Sequence, residues 1–309
     1  MAATMQQNEN TRGTQTTSNG PAVHRPAEER MAADTHMGYV TLDVRNINTM
    51  RNFYTKVVGL DVLADNADGV MLGRAGGAPI VALHEDRTLP LRPEGSAGLF
   101  HTAILFQSPA HLAAAVVRIA RYVPQLYTGS GDHYVSQAFY LDDPEGNGVE
   151  LYVDRPREEW TWRNGQVLMG TEYVDPQAFV NRHLSEEALG RPDSTTVGHV
   201  HLQVGDVATA KAFYVDTLGF DQTMQMGHSA LFVSAGGYHH HMAMNTWGTA
   251  GAGLRVPSLG LGRVDVVVPT RAEAERIRDA AGKALLSDDG ATVTVADPWA
   301  NTLRFVPAA

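Results

Sequence analysis

The sequence predicts an α+β protein built from four βαβββ units that pair into two half-barrel domains. Two observations carry that prediction. A segment near the N-terminus recurs without a gap in the second half of the chain, and two further segments each run from a strand through a helix to the same DPxxN turn.

The recurring segment is GYVTLDVRNINTMRNFYTKVVGLD (38–61), which aligns with GHVHLQVGDVATAKAFYVDTLGFD (198–221). Gly38 falls on Gly198, Leu42 on Leu202, Phe53 and Tyr54 on Phe213 and Tyr214, and Gly59 on Gly219. Each copy opens on alternating apolar residues, the period of a half-buried strand. It then reaches Asn46 or Asp206, whose short polar side chain suits a helix N-cap. The apolar face of the helix ends in Phe-Tyr. Gly59 or Gly219 stops it, because a left-handed C-terminal residue costs glycine least.

The second pair is GLFHTAILF (98–106) and GLGRVDVVV (260–268), strands followed by Ala-rich helices over 110–122 and 271–282. Both continue to a strand entered through the shared turn, DPEGNGVELYV (143–153) and DPWANTLRFV (297–306). The units therefore lie near 38–95, 98–155, 196–248 and 259–307. An N-terminal domain over 35–157 and a C-terminal domain over 196–309 follow in chain order, joined by a linker over 158–195 with an amphipathic helix at 175–188. Residues 1–34 are polar and poor in apolar side chains, the composition of a disordered tail. One unit leaves an open, curved sheet whose inner face needs a second unit to cover it.

Composition narrows the function classes. A net charge of −10 and the absence of a basic stripe argue against a nucleic-acid partner. No apolar run reaches the length of a bilayer span, and the N-terminus carries no apolar signal core, which implies a cytoplasmic protein. Without cysteine, any metal must be held by His, Asp or Glu. Self-association is left open.

The repeat also marks where chemistry can sit. The first strand of each unit aims one residue into the cup: Tyr39, His101, His199 and Arg263. The last strands of units two and four add Glu150 and Arg304. Two imidazoles and a carboxylate, His101, His199 and Glu150, form the ligand set that suits Fe(II), or alternatively Mn(II), and leaves open positions for substrate and dioxygen. The run His239, His240 and His241 in HHHMAMNTW is a further candidate, since three imidazoles are costly to bury without partners.

These segments, together with GDHYVSQAFYLDDPEGNGVELYVDRP and SAGGYHHHMAMNTW, resemble the vicinal-oxygen-chelate superfamily. Within it the likeness is to bacterial catechol 2,3-dioxygenase-like proteins, over residues 36–307. The resemblance implies an extradiol dioxygenase that opens a small aromatic diol with O2, its metal held by His101, His199 and Glu150. Tyr140 precedes Glu150 by the spacing at which those enzymes keep a Tyr. HHHMAM matches their acid/base strand with His240 in register, and His133 sits near a family His that bonds substrate or oxygen. Two other readings stay open: a glyoxalase-type metal-dependent lyase or isomerase, and a bleomycin-resistance-type binding protein with Trp247, Phe139 and Tyr238 lining a groove.

The chain departs from the family in one respect. Neither half holds a complete ligand set: the first offers Tyr39, His101 and Glu150, the second His199, Arg263 and Arg304. Either unit two pairs with unit three, which unites the two histidines and the glutamate, or the usual halves pair and Tyr39 or His36 replaces His199. We favour the first pairing.

Overall fold

The computed structural model describes residues 26–190 and 194–308. Unit one is β1 (His36–Val44), α1 (Ile47–Phe53), β2 (Asp61–Asn66), β3 (Gly69–Gly73) and β4 (Pro79–Glu85). Unit two is β5 (Gly98–Leu105), α2 (Pro109–Tyr122), β6 (Tyr127–Asp132), β7 (Ser136–Asp142) and β8 (Gly148–Asp154). A short hairpin, β9 (Trp162–Arg163) and β10 (Gln166–Val167), then precedes α3 (Pro176–His183) and α4 (Glu186–Gly190). Unit three is β11 (Thr196–Gln203), α5 (Val207–Lys211), β12 (Asp221–Met226), β13 (Ala230–Ser234) and β14 (Met242–Asn245). Unit four is β15 (Gly260–Val268), α6 (Arg271–Ala281), β16 (Leu285–Asp288), β17 (Val293–Ala296) and β18 (Thr302–Pro307).

The caps read from the sequence are in place. Asn46 accepts from the Thr49 amide at 3.0 Å and Asp206 from the Thr209 amide at 2.7 Å. The helices they open do not stay α-helical to the end. At Tyr54–Val58 and Ala212–Thr217 they widen into a π-turn, and Gly59 and Gly219 follow with φ of 90° and 97°.

Pairing of the units is the decisive feature. One eight-stranded sheet runs β12-β13-β14-β11-β5-β8-β7-β6, uniting units three and two. The other runs β16-β17-β18-β15-β1-β4-β3-β2, uniting units four and one. In each, the first strands of two units meet antiparallel at the centre, and each first strand lies parallel to the last strand of its own unit. The sheets therefore cut across the halves 35–157 and 196–309. The halves are tied differently, through the convex side. Tyr54 of unit one donates to Asp143 of unit two at 3.2 Å, and Tyr214 of unit three donates to Asp297 of unit four at 3.0 Å, all four side chains buried. One contiguous apolar core takes in both sheets and the helices behind them.

Two expectations need correction. Residues 26–34 belong to the folded body rather than to a tail: Met31 is buried, its amide bonds the Gly219 carbonyl at 2.7 Å, and Arg30 grips Asp221 through two hydrogen bonds of 2.9 and 2.6 Å. A single buried side chain and one ion pair suffice to dock so short a segment, and average composition hides them. Residues 1–25 lie outside the described residues. The helix expected over 175–188 is two helices, broken at Leu184, whose ψ of 132° leaves the helical region. α3 buries Phe179 against Phe139 on the outer face of β7, with the rings 5.0 Å apart. Among the described residues no helix is long and apolar enough to cross a membrane.

Candidate metal centre

Strand register brings His199, Ala103 and Glu150 into one row across β11, β5 and β8. His101, two residues from Ala103 and so on the same face, lies opposite His201. The methyl side chain of Ala103 in the middle of the row leaves the space into which the flanking side chains converge. His101 Nε2 and His199 Nε2 lie 3.0 and 3.1 Å from the same oxygen, Glu150 Oε2. All three residues are buried, and their ligand-type atoms all lie within 4.8 Å of one another. The cross-half pairing is thus the one the fold adopts; Tyr39 and His36 lie on β1, in the other sheet.

The group fits a divalent metal ion. His101 Nε2 is buried and, despite its approach to Glu150, makes no aligned hydrogen bond; His199 Nδ1 is likewise buried without a partner. His199 Nε2 is hydrogen-bonded to Glu150 Oε2, so the unmet nitrogen at the carboxylate is that of His101, and an N, N, O donor set suits first-row divalent ions. Burial would raise the Glu150 carboxyl, but the two imidazoles overcome it and hold the group well below the usual carboxylate range. Burial also pushes His199 down to about 4. A neutral imidazole beside an ionised carboxylate is the protonation state a metal site requires.

The neighbouring candidates also converge on this cup. Tyr140, paired with Glu150 across β7 and β8, has its hydroxyl 2.7 Å from His133 Nε2. Burial, reinforced by Glu150, pushes the phenol well above its ordinary value, so it keeps its proton. On the other flank the His240 ring lies 4.1 Å from that of His199. The three consecutive histidines are not in a regular strand, since β14 begins only at Met242, and each points differently. His241 Nδ1 accepts from the Ala235 amide at 3.1 Å, which leaves it structural. His239 Nε2 is 2.9 Å from Asp154 Oδ1, and its Nδ1 is 2.7 Å from His240 Nδ1.

That chain assigns the protons. With its Nε2 hydrogen directed at the Asp154 carboxylate, the His239 ring turns Nδ1 to His240 as an acceptor. His240 must then carry its hydrogen on Nδ1, which leaves Nε2 as the free base. Burial, with four neighbouring imidazoles, pushes His240 well below the ordinary histidine range and keeps it neutral.

Several site residues escape sequence reasoning. His201 shares the cup face of β11, but its Nε2 accepts from Asn245 Nδ2 at 3.0 Å, so that nitrogen is occupied. Asp154 and Tyr152 lie on the same face of β8 as Glu150, with the Tyr152 hydroxyl 2.7 Å from that of Tyr238 and Tyr238 donating to Asp154 at 2.8 Å. Asp142, two residues after Tyr140, has the same facing, and burial raises its carboxyl. Alternation along VELYVD and AFYLD could have found these three positions; the His201–Asn245 bond joins two strands and has no sequence signal.

A half-barrel of paired βαβββ units around two histidines and a glutamate defines a class of protein, and comparison with known families agrees. The chain belongs to the Glyoxalase/Bleomycin resistance protein/Dioxygenase superfamily, whose family model matches residues 36–151 and 196–301. It is 40% identical over 252 residues to the catechol-2,3-dioxygenase of Bacillus subtilis (strain 168), covering 79% of this chain and 86% of that protein. A solved Bacillus subtilis structure, provisionally designated a dioxygenase, has the same fold, with TM-score 0.61 and 12% identity over 90% of this chain and 86% of that one. So does glyoxalase I from Zea mays, with TM-score 0.53 and 14% identity over 89% and 92% of the two chains.

Proposed function

We propose that the protein is an extradiol ring-cleaving dioxygenase that opens a small catechol-like diol with O2, using a divalent metal, Fe(II) or alternatively Mn(II), held by His101, His199 and Glu150. The observation that carries this reading is the meeting of three buried ligand atoms within 4.8 Å, one of them a nitrogen with no aligned hydrogen bond. A bound ion there would supply the Lewis acidity that favours ionisation of a chelated diol and would bring diol and O2 to one centre.

The chain's own residues account for the rest. His240 Nε2, the unprotonated nitrogen, accepts a proton from one hydroxyl of the diol; Asp154 and His239 hold that tautomer and balance the charge that develops. A positioned base of this kind contributes roughly 10² to 10⁴ in rate. Tyr140, on the opposite flank of the Glu150–His199 row, keeps its proton and rests on His133; swung from that nitrogen, its hydroxyl donates where negative charge grows, and a dry site magnifies that contribution. The ring sits among Phe100, Phe232 and Trp247, whose rings lie 5.0 to 5.8 Å from that of His201.

The balance is one diol and one O2 to one ring-opened acid, with both oxygen atoms retained. The test is O2 uptake with catechol by protein reconstituted anaerobically with Fe(II). Uptake of one O2 per diol with a ring-opened acid as product supports the proposal; metal binding without O2 uptake overturns it. A second reading has one observation in its favour. Asp142 offers the carboxylate base that glyoxalase-type isomerisation needs, and turnover of a thiohemiacetal without O2 would select that reading.

A further inference from the structure

The sheet formed by units one and four has a concave face of its own, with a cavity of about 590 Å³, within the size range of small-molecule sites. Its lining includes Arg263 and Tyr39, and both are bonded to a cluster with Arg304 and Asp265 on the same sheet. Arg263 Nε donates to Asp265 Oδ1 at 2.7 Å, and Arg304 donates to Oδ2 through Nε at 3.2 Å and also through Nη2. The Tyr39 hydroxyl receives Arg304 Nη2 at 2.7 Å and Arg263 Nη2 at 3.5 Å. Asp265 is buried, whereas the two arginines are about a quarter exposed, at 29% and 25%.

One carboxylate thus faces two guanidinium groups. Within that cluster a single positive charge is left over, opposed only by Asp43 and Asp68 elsewhere in the cavity wall, and the Nη1 of each arginine makes no hydrogen bond among the described residues. Thr41, in the wall beside Arg263, has a buried hydroxyl with no partner. A fixed, partly desolvated surplus charge is stabilised by an anion, and two adjacent guanidinium edges match the two oxygens of a carboxylate. The wall selects further. Met71 and Ala82 form an apolar side, suited to an organic body. Asp43, tied to His84 at 2.9 Å, and Asp68 stand on the rim and disfavour a dianion such as phosphate.

We propose that this cup is a second binding site, for a small organic monocarboxylate whose acid group lies on Arg263 beside the Tyr39–Arg304 pair and whose apolar body lies on Met71 and Ala82. The site has no part in the metal chemistry and stands or falls independently of it.

Titration of the full-length metal-loaded protein with benzoate, followed calorimetrically, tests the assignment. The expected result is saturable binding of one benzoate per chain in this cup. Arg263→Gln, which keeps the Arg304–Asp265 pair, should weaken it about tenfold, the value of a charge-assisted hydrogen bond. Ala82→Trp keeps every charge, fills the cavity and should abolish binding; thermal melting confirms that each variant is folded. His199→Ala, in the other sheet, should leave the affinity within about twofold, as distant sites do not couple. Absence of saturable binding, loss of binding in His199→Ala with retention in Ala82→Trp, or equal binding of benzyl alcohol would each overturn the proposal.

Discussion

Where one cup carries His199, the other carries Tyr39; where one has His101 and Glu150, the other has Arg263 and Arg304. The registers correspond position by position. His201 faces His101 across the central strands as Thr41 faces Arg263, and Tyr140 pairs with Glu150 as Thr294 pairs with Arg304. In the centre of the row, Ala103 of the histidine cup is replaced by Asp265. That exchange completes the difference between the two chemistries. A methyl group leaves room for a cation among two neutral imidazoles and a carboxylate. An aspartate in the same place is itself a counter-charge, and it gathers two guanidinium groups that would repel a metal. The lesson is that the fold supplies a row of converging side chains, and the sum of their charges decides whether a cation or an anion belongs among them.

The largest expected effects come from breaking the histidine cup alone. Glu150→Ala and His199→Ala should each bring bound metal close to zero and lower turnover about 10³-fold or more, since a metal supplies several kcal/mol to such a reaction. Tyr39→Phe, at the position equivalent to His199, should leave metal content unchanged. Elemental analysis of the three variants side by side decides the matter, and one metal per chain in His199→Ala would remove the site from units two and three.

His240→Ala should retain metal and lose roughly 10² to 10⁴ in turnover. Asp154→Asn should cost less, on the order of 10- to 100-fold, as is usual for a partner that orients an active-site histidine. If its proposed role is to hold a tautomer, its loss should also move the alkaline or acid limb of the pH–rate profile. A lowered rate with an unmoved profile would make Asp154 merely structural.

Features common to both cups should yield smaller, purely structural effects. Burial raises Asp143 to about 6, against the hydrogen bonds from Asn147, Glu145 and Tyr54 that lower it. A carboxyl raised on folding is favoured in its neutral form. Its contribution is present below the unfolded value near 3.8 and is lost as pH rises through about 6. Denaturant unfolding should accordingly show stability falling over that interval by at most about 3 kcal/mol, a dependence that Asp143→Asn should flatten. The smallest effect concerns residues 26–34. A chain beginning at residue 35 should be less stable than one beginning at residue 26 by about 2 kcal/mol, roughly the burial of Met31, with the partly exposed Arg30–Asp221 pair adding little. Equal melting temperatures would show that the segment contributes nothing.

The sequence by itself determined the units and singled out the candidate ligands. Strand alternation, the Asn46 and Asp206 caps, the Gly59 and Gly219 stops and the DPxxN turns are local signals, each complete within a few residues. Because the four units are copies, a residue's place in its unit was enough to single out His101, His199 and Glu150 as candidates, whereas Tyr140 came from the family resemblance. Tertiary structure alone decided which units share a sheet. The first strands β1, β5, β11 and β15 all carry the same pattern of inward and outward residues, so any two could pair antiparallel as far as periodicity is concerned. The choice of β5 with β11 rests on packing between distant parts of the chain, and it is this choice that completes the histidine cup and leaves two arginines with an aspartate in the other. The roles within HHH were hidden for a related reason. The segment precedes β14 and follows no regular period, so only the contacts with Asp154, Ala235 and His199 separate the three histidines and suggest the proposed roles.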